Sequence, residues 1–263
     1  MVERETPEEK SDALSESMAA MPFWSHLVEL RERLLKSLAG IAVGVVLSIA
    51  FLERMVFDLA LKPLGSRKLM YLGLAEGFTT HLFLSLIIGT ILALPYVAYQ
   101  IWAFVAPGLY PRERRVAVRL SFASTGLFFA GVLFAYFILM PVVVRFFLSF
   151  ETDQLVYGGA LGSYLKTFAG LLLGTGLAFQ FPLVLLGLVR AGIVTPESLA
   201  AQRGYWILAI VTLAAVLTPT GDMMTQSLVS LPMWILFEGA VILSKGMEVR
   251  SKEKGGRDEK ESS

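Results

Sequence analysis

Long apolar stretches separated by short polar segments dominate this chain. About 20 apolar residues in a helix cover the roughly 30 Å hydrocarbon layer of a bilayer, so we interpret these stretches as helical spans. Six candidates lie at residues 34–52, 78–105, 120–140, 165–189, 205–217 and 226–244. The pattern therefore predicts an all-α, polytopic membrane protein with six transmembrane helices.

The last two stretches differ from the first four. A helix over residues 205–217 rises only about 20 Å, less than the hydrocarbon thickness, and residues 218–222 form a turn motif before the chain returns. We therefore expect both of the last two helices to be short. Two interpretations stay open, a buried hairpin packed against longer helices or a pair that locally thins the bilayer. Just before this hairpin, Thr195 and Pro196 form a typical helix start.

The two ends of the chain are polar. Residues 1–21 are acidic and lack the apolar core of a cleavable signal peptide, so we predict a disordered tail there and another at 247–263. Residues 22–246 form the predicted membrane domain. Lys and Arg residues are more frequent beside one set of span ends, and the cytoplasmic side of a membrane protein carries this excess. The distribution predicts that both termini are cytoplasmic.

Composition supports the membrane interpretation. Hydrophobic residues make up 55% of the chain and charged residues only 17%, whereas a soluble domain carries roughly 25% charge. Mean hydropathy is +0.65. The chain has no cysteine and two histidines, which excludes disulfides, thiolate metal sites and a histidine-rich metal centre.

Polar side chains inside the predicted spans are candidates for function. A charged group at mid-bilayer costs at least roughly 2.5–3.5 kcal/mol, so Glu238, near the middle of the last span, should pair, protonate or face a polar cavity. Gln180 lies near the middle of the fourth span. Its amide either joins two helices by hydrogen bonds or has a role in function. These two residues motivate one hypothesis, a proton-coupled small-molecule transporter. The chain lacks a visible internal repeat, which weakens that hypothesis.

Two segments at the predicted cytoplasmic ends combine acids with bases. Glu29–Arg33 and Glu32–Lys36 are favourable i, i+4 pairs in a segment that fits an amphipathic helix on the membrane surface. Glu113 lies among Arg112, Arg114 and Arg115. It is either a charge-balancing acid in a basic loop or a carboxylate placed for a cationic partner.

Several segments together resemble the TatC subunit of the twin-arginine protein translocase. The resemblance rests on six ordered blocks: HLVELRERL (26–34), YQIWAFVAPGLY (99–110) with ERR (113–115), AYF (135–137), FQFP (179–182), LTP (217–219) with Asp222, and PM (232–233) with FE (237–238). They cover about residues 22 to 246. Each block alone is modest, but the ordered set is highly specific.

The resemblance implies a function in protein export rather than an enzyme. TatC-like proteins bind twin-arginine signal peptides at the cytoplasmic face of the cell (inner) membrane and nucleate export of folded proteins, driven by the proton-motive force. They bind no cofactor, metal or nucleic acid. The partners implied are TatA- and TatB-type single-span subunits, signal peptides of folded cargo, further copies of the chain and the lipid bilayer. A structural scaffold without a recognition site is a third hypothesis.

The resemblance also assigns residues. Glu29 and Glu113 match the positions credited with binding the two arginines, and Arg31, Gln100 and Phe104 match positions near the same site. Arg112, Arg114 and Arg115 would oppose an incoming cation, so either they point away or Glu113 contributes less than Glu29. Many members carry glutamate where this chain has Gln180, which argues against an ionisable relay there. Thr218, Gln226 and Asp222 match a polar patch that contacts partner subunits.

Overall fold

Helices make up nearly all of the described chain. The computed structural model describes residues 7–65, 67–109, 114–152, 154, 158–218 and 222–261. Its α-helices are α1 (Pro7–Leu47), α2 (Glu53–Leu61), α3 (Glu76–Leu109), α4 (Arg114–Phe134), α5 (Met140–Leu148), α6 (Leu161–Ala178), α7 (Phe181–Arg190), α8 (Pro196–Ala201), α9 (Arg203–Leu217) and α10 (Met223–Glu261). Single π-helical turns at Ser48–Leu52 and Ala135–Leu139 join α1 to α2 and α4 to α5. The all-α prediction is confirmed, since the described residues contain no strand and their β-pairing is limited to isolated bridges such as that between Met70 and Ala160.

These elements combine into membrane spans. Five rods are long and apolar enough to cross a bilayer: His26–Leu64 (span 1), Glu76–Val105 (span 2), Ala117–Leu148 (span 3), Leu161–Arg190 (span 4) and Met223–Gly246 (span 6). The shorter apolar helix Arg203–Leu217 is span 5. The prediction of a polytopic membrane protein is confirmed. With span 5 as a sixth crossing, both ends of the chain would lie on the same side of the membrane.

Spans 5 and 6 differ in length. Span 5 has 15 residues and rises about 22 Å, as the sequence predicted for a short helix. Span 6 departs from the expected short final helix, because its apolar part covers 24 residues. The reason is that α10 continues past residue 244 without a break. Its length is sufficient for a full crossing.

Spans 1 and 2 meet at two glycines. A Cβ atom added to Gly44 would lie 2.3 Å from the carbonyl oxygen of Gly89, and one added to Gly89 would lie 2.4 Å from the backbone nitrogen of Val45. The two backbones are therefore in direct contact, which is the packing that small residues permit between membrane helices. This contact fixes the position of α1 relative to α3 along the helix axes.

The main hydrophobic core lies among spans 3 to 6. Phe168 of span 4 and Phe237 of span 6 are almost fully buried in it, with Ile210 of span 5. Span 1 is peripheral by comparison, since 11% of its apolar window is buried against 44% in span 4. Its α1 part packs chiefly against span 2, whereas Ala60 and Leu64 at its other end join the main core.

The predicted helix start at Thr195 is confirmed. The Thr195 hydroxyl accepts a hydrogen bond from the Ser198 backbone N–H at 3.2 Å, and Pro196 occupies the first turn of α8. This cap satisfies one of the free N–H groups at the helix start. Elsewhere, α1 begins at Pro7 and α10 ends at Glu261, so both helices continue into the segments predicted as tails. The domain boundaries at residues 22 and 246 stay predictions.

Candidate functional site

A polar contact joins α1 to α3 near one end of the pair. Arg33 donates two hydrogen bonds to Oε1 of Glu29, from Nε at 3.0 Å and from Nη2 at 2.9 Å. Its remaining nitrogen, Nη1, donates to Oε1 of Gln100 at 3.3 Å. Gln100 is 5% exposed, so its amide is fixed by packing. One guanidinium group therefore ties the acid of α1 to the amide of α3.

An aromatic contact lies beside this polar one. The rings of His26 and Phe104 are stacked, with centroids 4.2 Å apart and planes 18° from parallel. His26 and Arg33 are seven residues apart on α1, and Gln100 and Phe104 are four apart on α3, so each pair occupies one helix face. Because α1 and α3 run antiparallel, the two contacts lie at the same end of the pair. We call Glu29, Arg33, Gln100, His26 and Phe104 the α1–α3 cluster.

The carboxylate of Glu29 keeps capacity for a further partner. Both bonds from Arg33 end on Oε1, and within the described part of the chain Oε2 carries no hydrogen bond. The Glu29 side chain is 40% exposed and that of Arg33 26% exposed. A carboxylate can accept hydrogen bonds on both oxygens, so a second cation can reach Glu29 without displacing Arg33.

Gln180 forms a clamp between two spans. Its Oε1 accepts a hydrogen bond from the Ser124 hydroxyl at 2.6 Å, and its Nε2 donates to the Ser124 carbonyl at 2.9 Å. Gln180 lies at the break between α6 and α7, directly before Phe181 and Pro182. The neutral amide thus satisfies a donor and an acceptor of α4. This is the role expected of a polar side chain that joins two membrane helices by hydrogen bonds.

Glu238 is paired with a base. Oε2 of Glu238 accepts a hydrogen bond from Nη2 of Arg203 at 3.0 Å, and its side chain is 24% exposed. Arg203 is the first residue of α9. The sequence placed Glu238 near the middle of the last span. In the structure Glu238 lies level with the start of α9, about 22 Å along α10 from the turn, and it pairs with a charged partner, one of the outcomes expected for this acid.

The three residues expected to contact partner subunits stabilise the α9–α10 hairpin. The Thr218 hydroxyl donates to the Ala214 carbonyl at 2.9 Å, and Nε2 of Gln226 donates to the Val211 carbonyl at 3.0 Å. Oδ1 of Asp222 accepts the Thr225 N–H at 2.7 Å. These polar groups therefore shape the turn and the start of α10.

Comparisons with known proteins match the chain over most of its length. The family model for TatC, the Sec-independent protein translocase protein, matches residues 25–232. The chain belongs to the TatC family. A TatC protein of Desulforapulum autotrophicum is 39% identical over 243 residues, covering 90% of this chain and 88% of the relative. One from Aquifex aeolicus is 34% identical over 239 residues, covering 89% and 98%.

The fold agrees with that of a solved TatC. A crystal structure of a twin-arginine translocase receptor TatC superposes with a TM-score of 0.74 at 34% identity, covering 83% of this chain and 99% of the other. As a TatC protein, the chain is a subunit of the Sec-independent protein translocase and acts in transport rather than as an enzyme. It is a multi-pass membrane protein and works together with other subunits of that translocase.

In this TatC chain the structure brings together three of the five residues predicted for signal-peptide binding. Glu29, Gln100 and Phe104 belong to the α1–α3 cluster. Arg31 is exposed and lies about 200° around α1 from Glu29, on another face. Glu113 lies outside the described residues.

Two members of the cluster, His26 and Arg33, were not predicted as site residues. Both lie in the block HLVELRERL. The spacing of Glu29 and Arg33 was visible as a helix pair, but the contact of Arg33 with Gln100 joins positions 67 residues apart. Aligning spans 1 and 2 as antiparallel neighbours in the sequence would have placed Arg33 opposite Gln100.

Proposed function

We propose that this TatC protein recognises signal peptides bearing two adjacent arginines and nucleates the export of folded proteins driven by the proton-motive force. The site is the end of the molecule that carries the α1–α3 cluster. The observation that carries the proposal is the meeting of Glu29, Gln100 and Phe104, which come from two sequence blocks of the family and two different spans. We place this end on the cytoplasmic face of the cell (inner) membrane, with both termini, because basic residues concentrate there.

The chemistry of Glu29 supports the recognition of a guanidinium. Arginine presents a planar fork of N–H donors that binds carboxylates more specifically than the point charge of lysine. Arg33 already holds Glu29 by this geometry through Oε1. An arginine of the peptide would use Oε2, so that Arg33 orients the carboxylate and the peptide completes its coordination.

Glu113 is the second carboxylate of the proposal. It follows Phe104 by nine residues and comes between the end of α3 at Leu109 and the start of α4 at Arg114. In sequence it therefore follows the block that supplies Gln100 and Phe104. Its three basic neighbours either point toward anionic lipid or lower its contribution relative to Glu29.

Partner subunits of the TatA and TatB type are proposed to bind at the α9–α10 hairpin, near Thr218, Asp222 and Gln226. Large apolar side chains of this hairpin are exposed, among them Val216 at 78% and Met223 at 84%. A single-span helix could cover such a surface in the membrane. Further copies of the chain are also proposed to be present in the assembled complex.

Export of a reporter protein tests the assigned site. In cells that lack their own TatC, the wild-type chain should export a folded reporter carrying a twin-arginine signal, whereas the double variant Glu29→Ala, Glu113→Ala should not. The matched control is Glu32→Ala, which removes an acid three residues from Glu29 that pairs with Lys36 at the surface and should leave export unchanged. Full export by the double variant would show that the site is wrongly assigned.

A further inference from the structure

The loop between spans 1 and 2 has apolar side chains that the fold does not use. This outer loop, residues 67–75, lies at the opposite end of the α1–α3 pair from the cluster. Leu74 is 109% exposed, and Leu72 and Tyr71 are 74% and 62% exposed. We propose that the outer loop is a membrane anchor whose apolar side chains enter the lipid of the outer leaflet.

Backbone hydrogen bonds hold the loop in place. Met70 donates its N–H to the Gly159 carbonyl at 3.0 Å, and its carbonyl accepts the Leu161 N–H at 3.0 Å. The loop is thereby fixed to the start of α6 by main-chain atoms. Leu69 packs against the core, whereas Tyr71, Leu72 and Leu74 are left exposed.

The carboxylate of Glu76 completes this attachment. It accepts the N–H groups of Leu72, of Gly73 at 3.2 Å and of Gly162 at 2.8 Å. An acid in the first turn of α3 therefore binds the loop on one side and α6 on the other. A loop held this rigidly presents its apolar side chains at a constant position, which distinguishes it from a polar connection that merely closes a turn.

Continuity with the lipid-facing surface identifies the occupant as lipid. Phe78, Leu82 and Leu86 are spaced by four residues, so they form one stripe along the start of α3, and Leu74 lies in the turn two residues before α3 begins. Phe78, Leu82 and Leu86 are 69%, 46% and 47% exposed and belong to span 2. Because these three exposed side chains lie in an apolar span, the exposed Leu74 just before α3 continues the apolar surface into the outer loop.

Charge at the edge of the loop fits the same occupant. Arg67 and Lys68 are exposed just before the apolar residues, and Arg67 pairs with Glu151. A basic side chain such as that of Lys68, beside an apolar tip, is placed to reach lipid headgroups while the tip stays in the acyl region. The combination is typical of a segment that lies in a membrane interface.

The anchor also sets the depth of the other end of span 2. From Glu76, the first residue of α3, about 20 helical residues cross the hydrocarbon and reach the level of Tyr96, which is 43% exposed and suited to the opposite interface. Gln100 and Phe104 then lie outside the hydrocarbon, about 36 and 42 Å along the helix from Glu76. The outer loop thus holds the α1–α3 cluster at the water-exposed surface. Lipid contact by the loop does not depend on what the cluster binds.

Spin labelling tests the anchor directly. The chain has no cysteine, so Leu74→Cys and Lys68→Cys each give one labelling site in the full chain. In phospholipid vesicles, we expect a nitroxide at position 74 to collide several-fold more often with oxygen, which dissolves in lipid, than with a water-soluble nickel complex. The label at position 68 should show the reverse preference. Since Leu74 is fully exposed, the substitution removes no packing from the fold.

Two outcomes would overturn the proposal. Equal access of the nickel complex to both labels would place the loop in water. Shielding of the position 74 label from both reagents, relieved by tenfold dilution of the protein in lipid, would show that a second copy of the chain covers the loop instead.

Discussion

Replacing Glu29 by glutamine is expected to weaken the binding of a twin-arginine peptide by about 10- to 100-fold, the range for a lost hydrogen bond to a charged group. The substitution keeps the shape of the side chain but removes the charge that attracts a second guanidinium. Gln100 would still accept its hydrogen bond from Arg33, so the α1–α3 contact should persist. Fluorescence anisotropy of a labelled peptide on the reconstituted protein measures the affinity.

The control for this prediction is Glu32→Gln. Glu32 also forms an i, i+4 ion pair, with Lys36, but its side chain is 63% exposed and it has no hydrogen bond or ion pair with α3 among the described residues. We expect unchanged peptide affinity. Equal losses in the two variants would mean that only the general negative charge of the segment matters, which contradicts a specific role for Glu29.

Replacing Gly89 by alanine is expected to lower the free energy of unfolding by about 1–3 kcal/mol, the usual cost of overpacking. Its new methyl group would lie 2.4 Å from the backbone nitrogen of Val45 and 2.5 Å from the Val45 Cα, neither of which can rotate away. Helices α1 and α3 must therefore separate or slide. Thermal unfolding in detergent measures the loss, and peptide affinity should fall as well because this crossing sets the position of Glu29 against Gln100.

Gly126 of α4 provides the matched control. A Cβ atom there meets nothing within 4 Å, so Gly126→Ala should be neutral or should stabilise by up to about 1 kcal/mol through helix propensity. If Gly89→Ala proved as harmless as Gly126→Ala, the close contact of α1 with α3 would be wrong. The argument that the two helices hold the cluster in register would then lose its basis.

Much of the fold follows from the sequence because span length and hydrophobicity are local properties. The Thr195 cap and the short span 5 are of this kind. The end of the helix that contains span 6 could not be located, since α10 continues from apolar into polar sequence without a helix-breaking signal.

The position of Glu238 shows what a hydropathy pattern misses. Its pairing with Arg203 links residues 35 positions apart, whereas the pattern supports only the statement that an acid lies inside an apolar stretch. The position of the turn at residues 218–222 would have predicted this pairing. In an antiparallel hairpin, residues equally distant from the turn face each other, which brings Arg203 close to Glu238.

The candidate site was predictable only in part for a similar reason. The blocks of the family named Glu29, Gln100 and Phe104, but the roles of His26 and Arg33 depend on contacts between α1 and α3. The hypothesis of a proton-coupled transporter fares less well than before, because Gln180 and Glu238, on which it rested, both bond to other protein groups. The remaining hypothesis, a scaffold without a recognition site, differs from the proposed receptor only in peptide binding. A measurement of peptide binding therefore distinguishes the two.

The most direct test is to compare two peptides on the wild-type protein, identical except that one carries adjacent arginines and the other adjacent lysines. The bidentate geometry available to arginine predicts that the reconstituted protein binds the twin-arginine peptide at least about 10-fold more tightly, a difference of about 1.4 kcal/mol. Equal affinities for the two peptides would contradict recognition of twin-arginine signals by this chain.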